Sequence, residues 1–288
     1  MPTTQDNRIY ISTGGHKDTS AYEFACTLIQ NGIRNVELSG GAFENFDVRK
    51  LIALLQSAKL QVHNYYPPVE HPFVFKQASK QDSIVKESFA LAENAITIAS
   101  QINRPIYSFH AGFLVDPKTD ELGKIFVEKA MINRDEGLEL FIHRVNKLSQ
   151  FAKSNDVELL IENNVISLDN YNSFGCDPML MTTAKEAKYI MENTPGNVNM
   201  LLDVAHLKVS SNSLGLDSSE MFTLCDDWIK AYHLSDNDGT EDSNEPIRNN
   251  SWFWPYIKFG KLFYTLEVYG LSVDQYHTQI ELLERNLA

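Results

Sequence analysis

The sequence predicts an α/β protein built as a single (β/α)8 barrel, the TIM-barrel architecture. Three observations predict it. Eight short apolar runs alternate with helical patterns, with no linker, low-complexity tract or internal repeat between them. The length of 288 residues suits one such barrel, for which about 250 residues is usual, so residues 1–288 read as one domain. The competing arrangement, a doubly wound open sheet, lacks its dinucleotide-binding signature, because no G-x-G-x-x-G follows the first strand.

Taken in order, Arg8–Gly15 is a short strand ending in glycines. Ser20 and Glu23 form a capping box that opens a helix, and Gly32 stops it. Asn35–Gly41 is the second strand, and Asp47 starts a helix through Leu51, Leu54 and Leu55. Leu60–Tyr66 is the third strand, closed by Pro67-Pro68. Apolar positions from Ile84 to Ala99 repeat with a helical period after a start at Asp82 or Ser83. Pro105–Phe113 is the fourth strand, Glu136–Ser154 a helix and Val157–Asn164 the fifth strand. Thr183 and Glu186 form a second capping box, whose helix ends near Asn193–Gly196. Val198–His206 reads as the sixth strand, Ser218–Asp227 as a short helix and Ile229–Ser235 as the seventh strand. The polar segment 236–250 is a loop, Trp252–Phe259 a helical turn and Leu262–Tyr269 the eighth strand. Ser272 caps the last helix.

Composition narrows the function classes. Hydrophobic residues make up 43% of the chain, enough for a full core, and no run approaches the roughly 20 apolar residues of a membrane span. Met1–Asn7 carries neither the basic nor the apolar region of a secretory signal. The three cysteines, Cys26, Cys176 and Cys225, are far apart and form no C-x-x-C, which argues against a disulfide framework or thiolate zinc site. The cytoplasm is the expected compartment. A net charge of -13 without a basic run disfavours nucleic acid as a partner. A homodimer stays open to such a chain.

Polar residues at strand ends carry the chemistry. Leu201-Leu202-Asp203-Val204-Ala205-His206 places a carboxylate at the exit of a doubly buried strand and an imidazole three residues on. Alone, this pair reads as a capping aspartate and a hydrogen-bonding histidine. The pattern recurs, however: the strand ends in order carry His63, His110, Glu162, Asp203 with His206, His233 and Glu267. A barrel delivers all these ends to one rim. Glu162, Asp203, His233 and Glu267 form a set of three carboxylates and one imidazole. Carboxylates brought together at low dielectric repel one another, and a divalent cation relieves that. Such ligands suit Mn²⁺, Mg²⁺ or Co²⁺, with Zn²⁺ also open. His206 would face the same pocket as a substrate hydrogen-bond donor, and His63 and His110 read either as further ligands or as polar substrate contacts. His16, His71, His143 and His277 fall in loops or helices and read as structural. The aromatic run Trp252, Phe253, Trp254 and Tyr256 reads as packing in preference to a sugar-stacking wall or a subunit contact.

F-H-A-G at His110, L-I-E-N-N at Glu162, L-D-V-A-H at Asp203, H-L-S-D-N-D-G at His233 and L-E-V at Glu267 together resemble the xylose isomerase-like barrels, which include sugar-phosphate isomerases, epimerases and the endonuclease IV group. The resemblance covers nearly the whole chain. It implies one divalent metal, usually Mn²⁺, on Glu162, Asp203, His233 and Glu267, with Glu162 and Glu267 exchanging protons with the substrate and His206 touching a substrate oxygen. The implied chemistry is proton abstraction beside a metal-bound carbonyl through an enediolate. The implied substrate is a small sugar or sugar phosphate, and Arg248, Lys258 and Lys261 are weighed as phosphate contacts against a surface role. The family's dehydratases share this proton abstraction. Its endonuclease branch holds a cluster of zinc ions and needs an Asp-x-His after the seventh strand. This chain has Asn244–Arg248 there and no histidine between His233 and His277, so that branch is disfavoured. A non-catalytic sugar-binding barrel is the remaining alternative.

Overall fold

The structure, a computed structural model, describes residues 8–45, 47–127 and 130–287; the Met1–Asn7 segment read above lies outside them. Eight strands close into a parallel barrel in sequence order: β1 (Ile9–Ser12), β2 (Asn35–Leu38), β3 (Lys59–His63), β4 (Ile106–His110), β5 (Glu158–Glu162), β6 (Val198–Asp203), β7 (Ile229–Leu234) and β8 (Phe263–Leu266). The barrel is the arrangement expected from the alternating pattern, and closure rules out the open sheet. Around it run α1 (Ala21–Gln30), α2 (Val48–Leu55), α3 (Asp82–Ala99), α4 (Arg134–Ser154), α5 (Leu168–Phe174), α6 (Ala184–Glu192), α7 (Val204–Leu214), α8 (Ser219–Leu224) and α9 (Val273–Leu287). Among the described residues no helix is long and apolar enough to cross a membrane.

Strand alternation sorts the side chains into two cores. Outward residues such as Ile9, Ile11, Val36, Leu38, Phe109, Ile161 and Leu202 join the helices in the main core. Inward residues Tyr10, Ile106, Leu160, Leu201, Ala231 and Phe263 form a separate plug at the N-terminal end of the barrel. One or two inward positions further along each strand, the interior turns polar: Ser12, Glu37, Gln61, His63, Ser108, Glu162, Asp203, His233 and Thr265, all 2% exposed or less. Register keeps these in rows. Ser12 pairs with Glu37 and Glu37 with Gln61; His110 pairs with Glu162; Asp203 pairs with His233 and His233 with Thr265.

The sixth element differs from its sequence reading. β6 stops at Asp203, and Val204-Ala205-His206 is the first turn of α7. Asp203 is extended (φ −84°, ψ 117°), and its Oδ1 accepts the His206 N–H at 2.7 Å, so the residue that ends the strand also caps the helix. An apolar run continuous from strand into helix hides that boundary. α5 and α7 have no counterpart in the sequence reading, and residues 252–259 form turns with no helix. The aromatic run still packs as expected: Phe253 is buried, Tyr256 stacks on Phe222 of α8 at 5.0 Å, and Trp252 meets the same ring at 6.2 Å. The loop after β7 is pinned by a two-residue antiparallel bridge, with Asp236 and Glu245 exchanging backbone hydrogen bonds of 2.9 and 2.8 Å.

Candidate active site

The fold gathers all seven residues predicted from the strand ends. Glu162 lies at the centre. Its Oε2 is 3.2 Å from His110 Nε2 and 3.4 Å from His63 Nε2. Its Oε1 is 3.1 Å from His233 Nδ1 and 3.8 Å from His206 Nδ1. His233 Nδ1 is also 2.8 Å from Glu267 Oε2 and 4.0 Å from Asp203 Oδ2. Donor atoms of Glu162, Asp203, His233 and Glu267 all lie within 4.8 Å of one another; those of His63, His110 and Glu162 form a second such group, as do those of Glu37, His63 and His233.

Close as they are, most of these atoms are not aligned for hydrogen bonding. Both Glu162 oxygens, Asp203 Oδ2 and His233 Nδ1 are buried without a hydrogen-bond partner. Leaving four such atoms unsatisfied in one place is costly. A divalent cation held by oxygen and nitrogen would satisfy them together, so the residues present fit such an ion.

The electrostatics agree. Burial pushes the Asp203 carboxyl up to about 7, with Glu162, Asp242 and Glu267 adding to the rise and His206 opposing it. Burial also acts to raise Glu162 and Glu267, but imidazoles reverse it: His110, His233 and His63 hold Glu162 well below the usual carboxylate range, and His233 brings Glu267 down to about 2. Burial would lower His233, yet Glu37, Glu162 and Glu267 hold it well above the usual imidazole value. His206 is raised in the same way by Asp203, Asp242 and Glu162. Its Nδ1 donates to the Asn163 carbonyl at 2.9 Å and its Nε2 faces Asp242 Oδ2 at 3.1 Å, an arrangement that suits an imidazolium. Burial lowers His110.

Loading a cation onto this centre must therefore displace protons from Asp203 and His233. Calorimetric titration of chelator-treated protein with Mn²⁺ near pH 7, in two buffers of different ionisation enthalpy, should show release of roughly one proton or more per ion. A binding heat independent of buffer would contradict these protonation states.

A cavity of about 820 Å³ opens onto the centre. Glu267, His63, His110 and His206 reach it, with Asp242, Asn244 and Tyr269 beside them, while Phe113, Leu122, Ile125, Phe126 and Leu168 line its other side. Glu162 does not line it and sits behind His63 and His110. Arg248 pairs with Glu245, Lys258 with Asp226, and Lys261 with the Ile229 carbonyl, and none of the three lines the cavity; Arg248 and Lys258 are exposed surface residues, while Lys261 is partly buried. Among the described residues the cations that do line it are Lys17 and Lys124.

Sequence reading missed Glu37, Gln61 and Thr265, which lie one row further in, and Asp242, which holds His206 from the 236–250 loop. A signal for Glu37 was present: Asn35-Val36-Glu37-Leu38 puts a carboxylate between two apolar residues of a buried strand.

Residues 27–274 match the family described as xylose isomerase-like TIM barrel. No curated protein matches the chain in sequence. Among solved structures, a D-tagatose 3-epimerase-like protein superposes with a TM-score of 0.70 at 15% identity over 97% of both chains. D-Psicose 3-epimerase from Clostridium cellulolyticum H10, solved with D-tagatose, gives 0.63 at 12% identity over 97% of this chain and 95% of that one. A barrel protein of the same description from Mycobacterium smegmatis, in complex with magnesium, gives 0.63 at 15% over 98% of both.

Proposed function

The chain belongs to the xylose isomerase-like TIM barrel family, and from that premise we propose that it is a cytoplasmic, divalent-metal-dependent isomerase or epimerase of a sugar or sugar phosphate. The observation that supports this most is the convergence of unbonded donor atoms of Glu162, Asp203 and His233 beside Glu267, at the rim that opens into the cavity. The solved neighbours that act on ketoses, and the one that holds magnesium, lend support through a shared fold.

Bound there, Mn²⁺ or a similar ion would supply Lewis-acid polarisation of a substrate carbonyl. The protein's part is proton transfer and orientation. Glu267 reaches the cavity with Tyr269 donating to its Oε1 at 3.1 Å, and it would take the proton from the carbon next to the carbonyl. Glu162 does not reach the cavity, so it would exchange protons with the substrate through His110 or His63, whose Nε2 atoms lie 3.2 and 3.4 Å from its Oε2. His206 Nδ1 is held by the Asn163 carbonyl, and its Nε2 would donate to a substrate oxygen that takes the place of Asp242. The cavity falls within the roughly 300–1,000 Å³ of ordinary small-ligand sites.

Elemental mass spectrometry on protein purified without chelator should find about one divalent ion per chain. After stripping and reloading with Mn²⁺, Co²⁺ or Mg²⁺, incubation with a panel of ketoses and their phosphates in D₂O should place deuterium on the carbon beside the carbonyl. No ion under any loading condition, or no exchange with any sugar, would defeat this reading.

A second reading, phosphodiester cleavage at a multi-zinc site, draws on the second donor group of His63, His110 and Glu162. The net charge of -13 and the absence of histidine between His233 and His277 weigh against it. Several zinc ions per chain together with cleavage of abasic DNA would favour it over the first.

A further inference from the structure

We propose that Glu37 is a positioning residue, which fixes the tautomer and aim of His233 and through it the affinity of the four-donor centre for its cation. The inference rests on the metal-centre reading above.

Glu37 lies in mid-strand on β2 and is fully buried. A carboxylate there is expensive unless it is hydrogen-bonded. Its Oε2 accepts from Gln61 Nε2 at 2.7 Å, from Thr265 Oγ1 at 3.1 Å and from His233 Nε2 at 3.1 Å. Gln61 Nε2 also contacts Thr265 Oγ1 at 3.0 Å, so the three donors form one network drawn from β3, β7 and β8. Gln61 and Thr265 are neutral. The histidine is therefore the partner best able to balance the buried charge.

The consequence for His233 is geometric. An ionised carboxylate can only accept, so the nitrogen facing it must carry hydrogen. That nitrogen is Nε2. The other, Nδ1, is left to point at Glu162 Oε1 and Glu267 Oε2, 3.1 and 2.8 Å away. A histidine binds metal through a lone pair, and the partner of its far nitrogen decides which nitrogen has one. Glu37 thus selects the form of His233 that can bind a cation and holds the ring against rotation.

Glu37, His63 and His233 also stand close enough to suggest a cation site of their own. The hydrogen bonds argue otherwise. His233 Nε2 lies 3.1 Å from both Glu37 oxygens and carries the hydrogen that Oε2 accepts, so it has no lone pair for a cation, although Glu37 Oε1 is without a hydrogen-bond partner. The carboxylate acts through the histidine.

The test compares wild type with E37Q, which keeps the shape but removes the charge and can offer His233 either an oxygen or an NH₂. Chelator-treated proteins are titrated with Mn²⁺ by calorimetry and with Co²⁺ by visible absorption, and the metal-free forms are melted. Dissociation constants for E37Q should rise about 10- to 100-fold and the Co²⁺ spectrum should change, while the metal-free melt reports separately what loss of the buried charge costs the fold. T265V, which deletes one neutral donor and leaves the charge, should shift affinity by less than E37Q does. Affinity of E37Q within twofold of wild type, with an unchanged Co²⁺ spectrum, would overturn the proposal. So would a weakening matched by T265V. Should E37Q fail to fold, E37D keeps the charge and withdraws it by one methylene, and wild-type affinity in E37D would count equally against the proposal. Wild type that binds no ion at all would instead defeat the metal-centre reading, a result distinct from any of these.

Discussion

Glu267→Gln should lower turnover by roughly 10³-fold or more, since a positioned acid or base contributes about 10²–10⁴-fold and this one is also a donor to the cation centre. The substitution is nearly isosteric. The fold should survive it, because Glu267 lies just past the end of β8 and faces the cavity. Glu162→Gln should cut turnover comparably and should also cost stability. Glu162 is the carboxylate that His63, His110 and His233 all face at 3.1–3.4 Å, with no exposed surface. Removing one partner from a buried charged cluster costs about 3–5 kcal/mol. Steady-state kinetics and thermal melts on the two variants would separate a residue that works at the cavity wall from one that also organises the imidazoles. Near wild-type turnover in either variant would remove that glutamate from the mechanism.

The metal-free protein should lose stability as pH rises from about 5 to 8. Asp203, His206 and His233 all contribute. The Asp203 carboxyl is raised from an ordinary 3.8 to about 7 in the folded chain, so between those values the native state holds a proton that the unfolded chain has released. Stability then falls with rising pH through that window and levels off above it. Over the roughly two units between pH 5 and 7 the loss from Asp203 is about 3 kcal/mol, at about 1.4 kcal/mol per unit. His206 and His233, both raised, act in the same direction: their contribution is complete below the ordinary imidazole value and is lost as pH climbs through the raised one. Glu162 and Glu267 are lowered, so their contribution is lost only in more acidic solution, outside this window. A bound cation should reverse the trend, since it holds the carboxylates ionised and gains affinity as protons leave. Thermal melts at pH 5.5 and pH 8 test both halves. With chelator the higher pH should give the lower melting temperature, and with excess Mn²⁺ the order should invert. A metal-free protein most stable at pH 8 would show that Asp203 is ionised well below neutrality.

Both predictions rest on residues that the sequence already singles out at its strand ends. Eight apolar runs, six of them ending in a residue of a type that binds metal or moves protons, were enough to place Glu162, Asp203, His233 and Glu267 on one rim. The inference works because a parallel barrel sends every strand end to the same face. Capping residues marked several helix starts for an equally local reason: Ser20, Asp47 and Thr183 each accept a backbone N–H from the first turn of the helix that follows.

Local signals failed where neighbouring elements share a pattern. Val198–His206 is apolar throughout its length apart from Asn199, Asp203 and His206, so nothing in composition separates the end of β6 from the first turn of α7; the Asp203 cap decides it. Glu37 was passed over for another reason. Its role comes from Gln61, Thr265 and His233, of which the last two lie about two hundred residues away in the chain. The sequence by itself determined the barrel, the rim and which polar residues meet there, because these follow from alternation and strand polarity. Only the tertiary structure decided which nitrogen of His233 faces Glu37 and which faces Glu162 and Glu267, that Glu162 stands behind two imidazoles while Glu267 meets the cavity, and that Asp242 holds His206. Those are questions of direction across the barrel, and they are settled by register and side-chain packing between strands that the chain reaches far apart.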